Sequence, residues 1–437
     1  MVLHVNGVAK VSQADILLEG MTVIAGENGT GKSTVSRALM AVASMSSNMK
    51  ALVDAERAAS ILREAIEPVL SAEGVQIMLR GSMMAGRLEH LLDRSLWENS
   101  LRTKKFVSDV IAQQNDSLFA YPEAPLIEER LGRVASQLSE KTLRILDVAE
   151  DEYVRYVLEK NLPLAFMGAM SHVDGRVATS SLSLINDRFG ISVTLDNGKV
   201  SAFDGWGAKP FSTLFYSEPK HKLDDVDDIQ PRRRRGIDRY STQRSLASEI
   251  FHPAPPSESL AEAGEYEKTM ALVAQLASRL HGQLKNDNQR LAFQERFSSG
   301  EFFVPLAGMA SGAKTMATVL RLLENKTILP GGLIIIDEPE SNLHPEYQIL
   351  FAEFLVRLCD ERNIKLLVNT HSPYLLRALQ KFSAARAVKD RCHYYMMLPD
   401  EMNVGDDVSS RTFHAQKMDD SVESIYSSLA KPLEDVL

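Results

Sequence analysis

Met21-Thr22-Val23-Ile24-Ala25 runs into Gly26-Glu27-Asn28-Gly29-Thr30-Gly31-Lys32-Ser33-Thr34, and then into Val35, Leu39 and Met40 at helical spacing. This reads as a strand, a glycine-rich loop and a helix, and it fits G-x-x-x-x-G-K-[ST] in its proper setting. Small residues let backbone N–H groups curl around phosphate oxygens, and the following helix aims its positive N-terminus at the same anion. Lys32 can reach the β- and γ-phosphates of a nucleotide, and the Ser33 hydroxyl can hold Mg²⁺. The competing reading is a glycine-rich turn with no ligand.

Outward from that stretch, composition sets the frame. The chain has 437 residues, 44% of them hydrophobic and 24% charged, which suits a globular protein of two or three structural units. A net charge of −9 excludes a general nucleic-acid binder and leaves room for a local basic patch. Cys359 and Cys392 are far apart in sequence without metal spacing, and read as structural thiols in a reducing compartment. No apolar run approaches the roughly 18 residues of a membrane span, and Met1-Val2-Leu3-His4-Val5 leads into a strand rather than a signal segment. The expectation is a soluble, cytoplasmic protein.

Before the loop, Leu3–Val5, Ile16–Leu18 and Val23–Ala25 read as short strands separated by turns at Asn6-Gly7 and Glu19-Gly20. After it, residues 35–170 are mostly helical. Leu52, Ala55, Ala59, Leu62 and Ile66 share one stripe over Ala51–Glu67. Leu131, Val134, Leu138, Ile145 and Val148 share another over one long stretch, Leu126–Leu158, interrupted by Thr142. These helices either pack on each other or form an arm that meets a partner. Ile191–Leu195 and Lys199–Phe203 flank Asp196-Asn197-Gly198, a hairpin signal, and Leu214-Phe215-Tyr216 reads as a buried strand. Asp224, Asp225, Asp227 and Asp228 precede Pro231 and Arg232–Arg235, which suggests a self-screened, solvated loop over 218–258. A helix is expected over Glu265–Leu284, with Val273, Leu276, Leu280 and Leu284 on one side, then a hairpin around Ser298-Ser299-Gly300.

The second half of a nucleotide site follows. Leu333-Ile334-Ile335-Ile336 suits a central parallel strand covered on both faces, and it ends in Asp337-Glu338-Pro339. Asp337 can bind Mg²⁺ through water, and Glu338 can polarise an attacking water. Lys365–Val368 reads as another buried strand with His371 just past its end, either sensing the γ-phosphate or standing as a surface or capping histidine, since Ser372-Pro373 also opens a helix. Ser311-Gly312 starts a helix bearing Met316, Val319, Leu320 and Leu323, where free N–H groups and a hydroxyl can meet an anion.

In this order, Gly26–Thr34, Ser311-Gly312, Ile336-Asp337-Glu338-Pro339-Glu340, Ser341-Asn342-Leu343-His344-Pro345 and Asn369-Thr370-His371-Ser372-Pro373-Tyr374 resemble ABC-type ATPase heads. Within them the chain looks most like the RecF/SMC/OLD-like branch of AAA ATPases found in bacterial defence and repair. The resemblance covers about residues 1–45 and 300–385. It implies an α/β fold: an ABC-type P-loop ATPase head with a mixed central sheet and a large, mostly helical insertion. The head would take residues 1–45 and 300–437, joined by strands from 181–217. The insertion would take 46–180, and 259–299 would lead into the signature region. The resemblance also implies that ATP and Mg²⁺ bind between two subunits, in a homodimer or higher homo-oligomer. Gly26, Glu27, Asn28, Gly29, Thr30, Gly31, Lys32, Ser33 and Thr34 of one subunit would face the signature residues Ser311 and Gly312 of the other. Ser33 and Asp337 would be the metal ligands, Glu338 the catalytic glutamate, Asn342 and its neighbours the D-loop, and His371 the switch histidine. Ala310-Ser311-Gly312-Ala313-Lys314 departs from Leu-Ser-Gly-Gly-Gln, and no Q-loop glutamine can be placed.

The leading expectation is an ATPase whose nucleotide state switches a partner (DNA, a nuclease or a toxin-like effector) in anti-phage defence, with DNA repair of the RecF type as the alternative. A nuclease of the OLD type would need a Toprim domain, and about 65 residues follow Ser372. A transporter subunit is disfavoured because Lys32 and Asp337 lie about 300 residues apart. Acids Asp419, Asp420 and Glu423 in the tail read as the start of a helix.

Overall fold

The computed structural model describes residues 1–72, 91–112, 124–168, 170, 178–217, 257, 259–279, 282–287, 290–297, 300–305, 311–341, 343–400, 411–418, 423–425 and 427. The charged segment expected over 218–258, with Arg232–Arg235, lies almost wholly outside the described residues, as do Asn342, Asp419 and Asp420. The chain divides into two compact units, Met1–Ser47 with Leu162–Leu437, and Asn48–Asn161.

In the first unit, β1 (Val2–Val8), β2 (Val11–Leu17) and β3 (Met21–Ala25) precede α1 (Lys32–Ser60). The turn between β1 and β2 falls at Ala9-Lys10, not at Asn6-Gly7. Gly7 stays inside the strand at φ 62°, and Ala9 takes the left-handed conformation instead at φ 48°. This register keeps Leu3, Val5, Val11, Ala14 and Ile16 buried, and burial outweighs local turn preference. Then come β4 (Thr179–Ile185), β5 (Gly190–Asp196), β6 (Lys199–Asp204) and β7 (Leu214–Ser217). Asn197 and Gly198 both have positive φ, 50° and 79°, as a two-residue hairpin between right-twisted strands requires.

Later in the chain come β11 (Leu333–Asp337), β12 (Lys365–Thr370), β13 (Cys392–Pro399) and β14 (Phe413–Lys417). Among the described residues, eleven strands form one mixed sheet in the order β6-β5-β4-β1-β2-β14-β13-β3-β12-β11-β7. β3 is parallel to β12 and β13, and β11 is parallel to β12 and β7. A separate three-stranded sheet holds β8 (Gly282–Asp287), β9 (Arg290–Phe297) and β10 (Gly300–Pro305). The expected helix therefore ends earlier: it spans Leu260–Arg279, and Leu284 lies in a strand. Gly282 opens that strand, where helix continuation is disfavoured.

Alternation along the parallel strands sorts their side chains. Met21, Val23, Ala25, Ile334, Ile336, Leu366 and Val368 share one apolar core with three later helices, Ser311–Glu324, Pro345–Arg362 and Pro373–Ala384. Met316, Val319, Leu320 and Leu323 supply the first helix's contribution, on the side expected of them. Asp337 and Asn369, one residue beyond Ile336 and Val368, fall on the opposite face. Cys359 and Cys392 are both buried free thiols, and burial pushes them up to about 11 and about 12.

The second unit is helical. Past Ser60, the last residue of α1, the chain passes through a π-helical turn, Ile61–Ile66, into α2 (Glu67–Ala72). α3 (Arg94–Glu98), α4 (Ser100–Ala112), α5 (Ala124–Leu146) and α6 (Glu150–Ala165) follow. The long stretch expected over 126–158 is thus two helices, broken at Asp147–Ala149. Glu150, Asp151 and Glu152 crowd the first turn of α6, where carboxylates favour a new helix start. Thr142 is buried on the apolar stripe of α5, with no partner for its hydroxyl. Glu56 is also buried and accepts from Arg63 at 2.9 Å and Lys160 at 2.6 Å. Among the described residues no helix is long and apolar enough to cross a membrane.

Candidate functional site

The glycine-rich loop lies between the carboxyl end of β3 and the first residue of α1, Lys32. Gly26 and Gly31 take φ of 154° and 95°. A Cβ on Gly31 would meet Val11 Cγ2 at 2.8 Å, and one on Gly26 would meet Thr30 Oγ1 at 3.1 Å and Met397 Cβ at 3.2 Å. The loop is therefore built around missing side chains. Thr30 Oγ1 donates to the Glu27 carbonyl at 2.9 Å, and the amides of Thr34 and Val35 both bond back to the Gly31 carbonyl. Glu27, Asn28 and Gly29 are exposed at the tip, and Ser33 is half-buried in the first turn of α1. The amides of Lys32 and Ser33 have no partner within the helix, as at any helix start.

Lys32 is only 5% exposed. Its ammonium donates to the carbonyls of Gly26 at 2.8 Å and Glu27 at 2.6 Å. Burial pulls its pKa below the ordinary lysine value, against the opposing pull of Glu338, Glu340, Asp337 and Glu27. A buried cation surrounded by acids and folded onto its own loop is suited to receive an anion that completes its coordination.

Sheet register brings the distant parts together. Asp337 pairs across to Asn369, and Asn369 pairs to Ile24, so the carboxyl ends of β11, β12 and β3 stand in one row. The Asp337 carboxylate is 3% exposed and accepts hydrogen bonds from Ser36, Asn369 and Tyr216. Oδ1 takes Ser36 Oγ at 2.8 Å and Asn369 Nδ2 at 2.7 Å, and Oδ2 takes the Tyr216 hydroxyl at 2.9 Å. Asn369 Nδ2 also reaches Ser36 Oγ at 2.8 Å, while its Oδ1 is buried without a partner.

Glu338 follows at φ 49°, left-handed for a residue that carries a Cβ. Its amide donates to the Asn369 carbonyl at 2.9 Å, extending the ladder one step past Asp337. His371 sits beyond the end of β12, its side chain 39% exposed. The helix after it is capped by Ser372, whose Oγ accepts from the Leu375 amide, so capping is not the work of His371. Ser311 and Gly312 open the helix Ser311–Glu324.

Sequence reading missed Ser36, Tyr216, Asn369 and Glu340 as members of this site. Ser36 lies one turn past Ser33 on the same helix, and Asn369 precedes Thr370-His371 at a strand end, so spacing held a signal for both. Tyr216 had none, because the neighbour relation of β7 and β11 spans more than a hundred residues.

The donors suit a nucleotide triphosphate with a hard divalent cation. The Ser33 hydroxyl and the Asp337 carboxylate are hard oxygens of the kind magnesium takes, and the buried Asn369 Oδ1 without a partner is a polar atom that the described protein groups leave unsatisfied.

The model of the family described as "AAA domain, putative AbiEii toxin, Type IV TA system" matches residues 21–377. Protein ea59 of Escherichia phage lambda is 31% identical over 108 residues, 24% of this chain and 20% of that protein. The OLD nuclease of Thermus scotoductus is 39% identical over 61 residues, 14% of this chain and 11% of that protein. The matched segments thus span a fifth or less of these curated relatives. The SMC head domain from Thermotoga maritima superimposes at 9% identity over 95% of this chain and 97% of that one, with a TM-score of 0.38. An SmcHead bound to the C-winged helix domain of ScpA does so at 10% identity over 96% and 98%, with a TM-score of 0.44. Superpositions this loose carry no argument. The family match runs from β3 past His371 and covers well over half of the sequence, and the chain belongs to that AAA family.

Proposed function

We propose that the chain binds ATP with Mg²⁺ at the carboxyl ends of β3, β11 and β12, hydrolyses it, and closes around it as a homodimer or higher homo-oligomer. The supporting observation is the convergence on Asp337 of Ser36 from α1, Asn369 from β12 and Tyr216 from β7, with Lys32 in the field of the same acids. Gly26–Thr34 cradle the phosphates and Lys32 leaves its loop carbonyls for them. Ser33 and Asp337 hold the cation, which supplies charge neutralisation on the phosphate oxygens. Glu338 orients and polarises the attacking water, and His371 contacts the γ-phosphate. Ser311 and Gly312 of one subunit face the nucleotide bound by the other. Contacts present only in the closed, ATP-bound state let hydrolysis bias a conformational equilibrium.

The partner so switched is DNA or a nuclease or toxin-like effector, in anti-phage defence, with DNA repair of the RecF type as the alternative; the family's description names a "putative AbiEii toxin, Type IV TA system". Ligand linkage provides the first test. ATP at a hundred times its Kd stabilises the wild type by about 2.7 kcal/mol. Lys32→Ala abolishes that shift, and Glu338→Gln keeps it while accumulating a dimer in gel filtration. A Lys32→Ala protein that still gains stability with ATP refutes the reading. Plasmid cleavage by the pure protein with Mg²⁺ alone would replace the switch with an intrinsic nuclease.

A further inference from the structure

We propose that Glu340 is a positioning residue of the hydrolytic site, holding His371 so that its Nε2 faces the nucleotide; this rests on the ATPase reading above. Glu340 is 5% exposed and lies in the turn that follows β11. A single oxygen, Oε1, accepts three hydrogen bonds from the last residue of β12 and the two that follow it: Thr370 Oγ1 at 2.8 Å, the His371 amide at 2.7 Å and the Ser372 amide at 3.1 Å. The same oxygen is 3.2 Å from His371 Nδ1.

Two buried atoms here remain without a hydrogen-bond partner, Glu340 Oε2 and His371 Nδ1. The pair is at ion-pair distance but not in hydrogen-bond alignment. A carboxylate needs no further donor to anchor a turn, because three already occupy Oε1. The spare oxygen and the spare ring nitrogen are complementary, and a small rotation of the half-exposed imidazole joins them. Nδ1–H then donates to Glu340, and Nε2 is directed outward. A carboxylate behind a histidine fixes its tautomer and ring orientation in this way.

The surrounding backbone makes the link mechanical as well. The Ser341 amide donates to the Glu338 carbonyl at 3.0 Å and the Leu343 amide to the Glu340 carbonyl at 2.9 Å, so the backbone on either side of Glu340 is held by its own hydrogen bonds. Glu340 therefore fastens the turn bearing Glu338 to the turn bearing His371. The water-polarising acid and the phosphate-sensing histidine, just past the ends of different strands, keep a fixed separation.

The test combines kinetics with ¹⁵N NMR of histidine-labelled protein, the His371 signal being assigned by its loss in His371→Ala. In the wild type His371 carries its proton on Nδ1; a ring protonated on Nε2 with Nδ1 bare overturns the proposal without any variant. Glu340→Gln keeps the shape and one acceptor for the three donors, but its amide cannot accept from Nδ1–H. It is expected to bind ATP within about threefold of the wild type and to lose at least tenfold in kcat, with the NMR signature moved to the other tautomer. Glu340→Gln with His371→Ala loses no more kcat than His371→Ala alone. Multiplying losses, or a Glu340→Gln whose KM rises while kcat holds, would show a staple that acts independently of His371. If the wild type neither binds nor hydrolyses ATP, the ATPase reading fails, and the tautomer still reports on Glu340.

Discussion

Replacing Glu338 by glycine, alanine and glutamine separates the cost of its backbone from the chemistry of its side chain. At φ 49° the residue occupies the left-handed region, where a Cβ crowds the following carbonyl and costs about 1–2 kcal/mol. Glycine removes that cost, but it returns roughly 0.4–1 kcal/mol of freedom to the unfolded chain. Alanine and glycine both delete the carboxylate, including its weak 3.4 Å contact with Ser341 Oγ, so comparing them isolates the backbone. Glu338→Gly should therefore be more stable than Glu338→Ala by about 1 kcal/mol, roughly fivefold in the unfolded fraction. Urea unfolding followed by tyrosine and tryptophan fluorescence measures the difference, and phosphate release measures turnover. All three variants should bind ATP and fail to hydrolyse it. Alanine equal to or better than glycine would mean that the angle stores no strain. Hydrolysis surviving in Glu338→Gly would mean that another group polarises the water.

Tyr216→Phe removes a hydrogen-bond donor to the buried Asp337 carboxylate and should cost about 1–3 kcal/mol in thermal or urea unfolding, with ATP affinity in Mg²⁺ changed more than in EDTA. Burial alone would push the Glu56 carboxyl up, but Lys160 and Arg63 outweigh it and hold it below the usual range. A depressed carboxylate contributes stability that is complete above its unfolded value and lost as pH falls through the folded one. Glu56→Gln should therefore destabilise the protein at pH 7 and flatten the loss of stability below about pH 4.5, read by melting between pH 3 and 7. Cys359 and Cys392, buried and held as thiols, should resist a thiol reagent at pH 8 in the native protein and react fully in guanidinium. Fast native labelling of either would contradict their burial.

Much of the core was legible because the chemistry there restricts residue type locally. A phosphate loop needs its glycines and lysine in sequence, and Leu333–Ile336 is apolar throughout because both faces of β11 are covered. What stayed hidden depends on neighbours distant in sequence. β13 and β14 went unread, although Tyr394, Tyr395, Met396 and Met397 are apolar enough, because nothing local shows that β13 completes the edge of β3. The Asn6-Gly7 turn failed for a similar reason: the partner strands and the core, not the dipeptide, set the register of β1. Leu284 matched a helical stripe by coincidence of spacing, and a strand pairing with β9 took it instead. Glu340 was visible as a letter in a motif, but its work depends on three donors some thirty positions later.

The placement of β3 has a consequence for how the polypeptide is made. Both of its edges are closed by strands that lie about 340 to 370 residues downstream, β12 and β13. During synthesis, the segment that will grip phosphate emerges and waits, unpaired on either side, until more than about 340 further residues have been translated. Long-range parallel pairing of this kind is slow to form and leaves apolar surface open meanwhile. Nucleotide therefore cannot act as an early template for folding: a ribosome-bound chain stalled before Lys365 should ignore ATP and cling to chaperones, and one that has passed Pro399 should not.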